Sequence, residues 1–140
     1  MFSATFLKKV FSKAPLTSEK FDRVWTDSRS VREGDLFAAI PGEKFDGHDF
    51  IFEVQKKGAK GAIVSKKDFK DRSALPKKFD IIEVKNTTEA LRDLAKAYRA
   101  QLNIPIFAIA GSNGKTTTKE WLSFLLESLH SRENIFKTQK

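Results

Sequence analysis

The stretch that most narrows what this chain can fold into is Ile106 to Thr118, which reads IFAIAGSNGKTTT. The apolar run Ile106 to Ala110 has the character of a short buried parallel strand, and Gly111, Gly114, Lys115 and Thr116 follow at once. Strand, glycine turn and helix in that order make a phosphate cradle. Glycines let backbone N–H groups approach an anion closely, the helix start offers unpaired N–H groups and the positive end of its dipole, and Lys115 adds a cation. The Thr116 hydroxyl suits Mg2+. The spacing is the short G-x-x-G-K-T, because the first glycine of G-x-x-x-x-G-K-[ST] would fall at Ile109. A plain structural turn is the alternative.

At 140 residues the chain can hold one ordinary domain, or a small domain and part of another. Its 40% hydrophobic content and thirteen phenylalanines supply a real core, and no apolar run approaches the length of a membrane span. Cysteine is absent, which excludes a disulfide framework, a thiolate metal site and a cysteine nucleophile, and fits a reducing compartment. The net charge of +8 raises the question of nucleic acid. The lysines, however, are dispersed as pairs (8 and 9, 56 and 57, 66 and 67, 77 and 78) without interleaved aromatic residues, so a solvated surface is expected and no nucleic-acid partner.

From the N-terminus, residues 2 to 14 place Phe2, Phe6 and Val10 on one helical face, and Pro15 ends the pattern. No acid precedes Glu19, as in an organelle transit peptide, but arginine is missing and the apolar face is wide, so an ordinary first helix is expected. Short strands are predicted over 23–26, 36–40, 61–65 and 80–84, with polar loops at 27–29 and 42–49 and a helix between 50 and Gly58. Asn86, with Glu89 three residues on, caps a helix whose stripe is Leu91, Leu94, Ala95, Tyr98 and Leu102. The strand from Pro105, the helix 115–130 and a last short strand over 135–138 complete an alternation that points to an α/β protein. The organisation changes near residue 85. Residues 1–85 can close as a small α/β domain, whereas 86–140 supply only the first strand, phosphate loop and helix of a doubly wound nucleotide fold. The sequence is therefore expected to be the front part of a larger protein.

Three places together resemble the Mur ligase family, ATP-dependent amide-forming enzymes of bacterial cell-wall precursor synthesis. They are Asp27-Ser28-Arg29 with the segment 34–40, Gly42 with Phe45-Asp46-Gly47-His48-Asp49-Phe50, and the run from Gly111 to Thr118. The run GSNGKTTTKE, the helix from Ala90 to Leu102 and Phe136-Lys137-Thr138 are most similar to the member that adds D-alanyl-D-alanine to a UDP-linked tripeptide. The tripeptide-forming member shares the first and third elements. The resemblance implies a UDP-substrate domain over 1–85 and the beginning of a P-loop ATPase-type central domain over 86–140. It also implies a UDP-N-acetylmuramoyl-peptide and D-alanyl-D-alanine as substrates, and a cytoplasmic place of work.

By the same resemblance, Lys115 and the Gly111, Ser112, Asn113 and Gly114 backbone hold the ATP phosphates, while Thr116, with Thr117 close by, serves Mg2+. Asp27, Ser28, Arg29, Gly42, Asp46, Gly47 and His48 are expected on the UDP-substrate. A polar turn closed by an internal Asp27–Arg29 pair is the other reading of the first triplet, and for His48 a capping or surface role is favoured over contact with ligand. No catalytic residue is expected within the chain. The family's acidic Mg2+ ligand, modified lysine and histidine, and its third domain, are expected beyond Lys140, so the 140 residues alone should not complete the ligation. A non-catalytic nucleotide-sugar-binding module is the competing class.

Overall fold

A computed structural model of the chain describes residues 1–12, 14–69, 72–131 and 135–138. Two units, Met1–Leu102 and Asn103–Lys140, are each held by their own contacts. Within the first, in chain order, lie β1 (Phe2–Ser3), α1 (Ala4–Val10), β2 (Lys20–Phe21), β3 (Val24–Trp25), β4 (Leu36–Ala38), α2 (Ile51–Lys56), β5 (Gly61–Ser65), β6 (Asp80–Val84) and α3 (Thr87–Arg99).

Among the described residues β3, β4, β5 and β6 pair in that order as one parallel sheet, with Phe37 opposite Ala62 and Ala62 opposite Ile81. Side chains along each strand alternate between two cores. Phe37, Ala39, Ala62, Val64 and Ile81 face Ile51 and Val54 of α2, together with Leu75 and Phe79. Leu36, Ala38, Ile63 and Ile82 face the other way, onto Leu7 of α1, Phe21, and Ala90 and Leu94 of α3. All five residues of β5 are buried, which is why this strand reads as a continuous apolar run rather than an alternation. Each buried isoleucine at 63, 81 and 82 contributes ~1.5–3 kcal/mol of hydrophobic stabilisation.

The sequence expectation holds at β5 and β6, whose bounds are those predicted, and at α3, where the Asn86 side chain accepts from Glu89 N at 3.0 Å. The first helix is shorter than the predicted 2–14. Phe2 and Ser3 instead pair antiparallel with Phe21 and Lys20, and the Ser3 hydroxyl caps α1 by accepting from Phe6 N at 3.1 Å. The strand predicted over 36–40 stops at Ala38, because Ile40 turns out to receive the returning chain: Gly47 N donates to Ile40 O at 3.0 Å. Helix α3 lies on the far side of the compositional change at residue 85 yet packs into the first unit, which runs to Leu102.

The second unit is built on α4 (Lys115–Leu129). The strand predicted from Pro105 is not formed; Ile106 and Phe107 are 57% and 62% exposed. A strand exists only as one side of a hydrogen-bonded ladder, and no segment among the described residues of this unit pairs with it. Nor do residues 135–138 form a strand. Instead Thr138 O accepts from Lys119 Nζ at 2.6 Å, and Lys137 Nζ bonds the Glu120 carboxylate at 2.5 Å, so this segment is tied to α4 by side chains.

Candidate functional site

Because the four strands run parallel, their C-terminal ends share one edge of the sheet, the place where open α/β folds bind ligands. From β3 the chain enters the 27–29 triplet. The Asp27 side chain caps a three-residue 3-10 turn, Ser28 to Ser30, by accepting from Arg29 N at 3.0 Å. Its two oxygens also take a forked pair from the guanidinium, Nε to Oδ1 at 3.0 Å and Nη2 to Oδ2 at 2.8 Å. The expected alternative, an internal pair, is therefore present, and it leaves the arginine displayed: the Arg29 side chain is 86% exposed. These hydrogen bonds from Arg29 hold the Asp27 carboxyl at a pKa of about 2, below its ordinary 3.8, and the same pair raises that of Arg29.

The loop after β4 is folded back on itself. Gly42 N donates to Phe45 O at 3.0 Å, and Pro41 bridges Asp46. A Cβ at Gly47 would lie 2.6 Å from Ile40 N, so only glycine lets this return stroke pass so close to the strand end. Asp46 then caps the turn Gly47–Phe50, its Oδ1 accepting from His48 N at 2.9 Å and lying 2.6 Å from His48 Nδ1. On the far side of the ring, His48 Nε2 accepts from Ser65 N at 2.8 Å, at the end of β5. That acceptor role places the ring proton on Nδ1, toward Asp46. Partial burial pushes the Asp46 carboxyl up, but the His48 backbone and ring hydrogen bonds outweigh it and hold it below its ordinary value. His48 is 8% exposed with both nitrogens engaged, so it braces the loop against β5. Phe45 of this loop is 72% exposed, beside the exposed Glu43 and Lys44.

One residue that the sequence expectations placed on the solvated surface reaches this edge. Lys57, just past α2, donates to Ser28 O at 2.9 Å and to Glu53 Oε1 at 2.6 Å. The Glu-to-Lys spacing of four was legible in the sequence, but the contact with residue 28 was not.

In the second unit, Gly114 precedes α4 in the left-handed region (φ 75°), with no heavy atom within 4 Å of where a Cβ would stand. The cradle is therefore open on that side. By helix geometry the N–H groups of Lys115, Thr116 and Thr117 have no carbonyl four residues back to bond within the helix, whereas Thr118 N already bonds Gly114 O at 2.8 Å. Lys115 Nζ turns back onto Gly111 O at 2.5 Å and Ser112 O at 3.1 Å. Open space, unpaired N–H groups and an ammonium on flexible carbons are the donor set a nucleotide phosphate needs. For a metal the supply is thinner. Among the described residues no three His, Cys, Asp or Glu side chains gather to hold an ion. Among those residues, too, no helix is long and apolar enough to cross a membrane.

Comparison with known proteins places the chain among relatives. The model of the Mur ligase family, catalytic domain, matches residues 20–99. A UDP-N-acetylmuramoyl-tripeptide–D-alanyl-D-alanine ligase of Synechocystis sp. is 35% identical over 137 residues, which is 96% of this chain and 29% of that protein. A UDP-N-acetylmuramoyl-L-alanyl-D-glutamate–2,6-diaminopimelate ligase of Geobacter sulfurreducens is 34% identical, covering 88% of this chain and 23% of its own length. Among solved structures, MurF from Acinetobacter baumannii superposes with a TM-score of 0.76 at 32% identity, over 91% of this chain and 28% of that one. MurF from Thermotoga maritima, solved in complex with ADP, gives 0.63 at 36% identity over 76% and 23%. The chain thus spans less than a third of the length of the proteins it matches. On the family match and these likenesses, the chain belongs to the Mur ligase family.

Proposed function

We propose that the chain is the N-terminal part of an ATP-dependent ligase that joins D-alanyl-D-alanine to a UDP-N-acetylmuramoyl-tripeptide in peptidoglycan precursor synthesis. The observation that carries this reading is Arg29: a guanidinium clamped by Asp27 and 86% exposed, standing at the C-terminal edge of a parallel sheet. Such a fork is suited to the diphosphate of the substrate. Ser28, Gly42 and Gly47 would offer backbone groups to the ligand, Asp27 aims Arg29, and Asp46 and His48 hold the second loop in place. The names of the Synechocystis and Acinetobacter relatives favour this member of the family.

In the second unit, Lys115 and the Gly111, Ser112, Asn113 and Gly114 backbone would hold the ATP phosphates, with Thr116 and Thr117 at the helix start and Thr116 on Mg2+. ATP supplies the phosphoryl group that converts the substrate carboxylate into an acyl phosphate, from which the amine of D-alanyl-D-alanine displaces phosphate. The contribution of these residues is position and charge. Lys115 spends two of its three N–H donors on the Gly111 and Ser112 carbonyls, which leaves one for a phosphate oxygen. We assign 1–85 to the UDP-substrate region, 86–140 to the opening of the ATP-binding domain, the work to the cytoplasm, and ligation to the longer protein rather than to these residues alone.

A second reading, a ligase adding the third amino acid, is favoured by the Geobacter relative. Phosphate release by the full-length protein separates the two. Release that depends on UDP-N-acetylmuramoyl-tripeptide and D-alanyl-D-alanine supports the first; release that depends on the dipeptide substrate and diaminopimelate supports the second. A chain that binds the UDP-substrate while its full-length form releases phosphate with neither pair is a binding module.

A further inference from the structure

The hydrogen bonds of the 27–30 turn are short in range. Asp27 caps Arg29, and Ser30 N bonds Asp27 O at 3.1 Å, so these contacts shape the turn without fixing where it stands on the sheet edge. Lys57 supplies a long-range bond, across 29 residues, from its ammonium to Ser28 O. Its own position is secured three ways. Glu53, one helical turn back, holds the ammonium at 2.6 Å; Ile51 and Val54 of the same helix are fully buried; and Gly34 N bonds Gly58 O at 3.0 Å, fastening the end of α2 to the loop that leads into β4. The Lys57 charge also adds to the effect of Arg29 in lowering the Asp27 pKa.

We infer that Lys57 is a positioning residue for the nucleotide-sugar site: it holds the Ser28–Arg29 turn in register with α2, so that the Arg29 guanidinium is presented to the ligand's diphosphate. This rests on the proposed assignment of Arg29. The ammonium acts through Ser28 and Asp27 and need not touch the ligand itself. Since Lys57 and Glu53 side chains are 36% and 46% exposed, removing the ammonium should cost little in fold stability and more in ligand affinity.

The test is calorimetric titration of UDP-N-acetylmuramoyl-tripeptide into the 140-residue chain and its Lys57→Met and Lys57→Arg variants, with thermal melts of all three. Methionine keeps the apolar stem and removes the N–H donors and the charge. Lys57→Met is expected to bind roughly three- to tenfold more weakly while melting with the wild type. Lys57→Arg, which can still donate to Ser28 O, should return affinity to within roughly twofold. Wild-type affinity in Lys57→Met would overturn the inference and leave the assignment of Arg29 standing. A fall in melting temperature that matches the loss of affinity, unrescued by arginine, would also overturn it, by reducing Lys57 to a structural contact. Absence of binding by the wild-type chain would overturn the site reading and the inference with it.

Discussion

At the scale of single residues, charge does two different jobs in this chain. Asp27 and Arg29 form an exposed fork whose carboxyl is held at a pKa of about 2 by the arginine. A carboxyl depressed in the folded state stabilises it above the unfolded value near 3.8, and that contribution is lost as pH falls toward 2. Carbon-13 NMR titration of the Asp27 carboxyl should thus find it ionised at pH 3 and protonating near 2, and a midpoint at the ordinary value would mean that the fork does not persist in solution. Lys115 is the other case, an ammonium held on the carbonyls of its own loop and proposed to meet a phosphate. In the proposed full-length ligase Lys115→Ala should abolish phosphate release and leave UDP-substrate affinity unchanged, which turnover and titration measure separately. Retained turnover would remove Lys115 from the ATP site.

Elements differ in how far their own sequence determines them. Strand β5 was legible to the residue because burial on both faces demands an apolar run bounded by turn residues, and β6 because its adjacent buried Ile81 and Ile82 give way to the exposed Glu83. Helix α3 was legible through its cap, since Asn86 and Glu89 make a contact three residues apart. Replacing Asn86 by alanine should cost about 1 kcal/mol, read as a lower midpoint in urea unfolding with the slope unchanged; an unshifted midpoint would show that tertiary packing alone holds the helix start. Where an element is a relation between distant segments, the sequence says less. The two-residue strands β1 and β2 carry no periodicity, and each exists because the other lies beside it. The apolar run 106–110 has the composition of a strand but, among the described residues, no ladder to join. The site shows the same division. The capping roles of Asp27 and Asp46 follow from neighbours two residues away, whereas the bonds from Ser65 N to His48 and from Lys57 to Ser28 O depend on how β5 and α2 dock.

The whole molecule consists of two units that differ in how much of their apolar surface they cover. The first buries both faces of its sheet and ends in an ordered loop edge. The second leaves Trp121, Phe124, Leu125 and Leu129 of α4 more than half exposed. Its proposed phosphate loop nonetheless has open space around Gly114, and the relatives it matches are more than three times as long. The proposed UDP-substrate site is therefore the part whose function can be tested on these 140 residues directly, since its loops are braced within the first unit. Calorimetric titration of UDP-N-acetylmuramoyl-tripeptide into the chain and into its Arg29→Ala variant is the most direct measurement. Saturable one-to-one binding by the chain, weakened roughly tenfold or more in the variant, is predicted from loss of a forked charge-assisted contact. No saturable binding, or the same affinity without the guanidinium, would contradict the account.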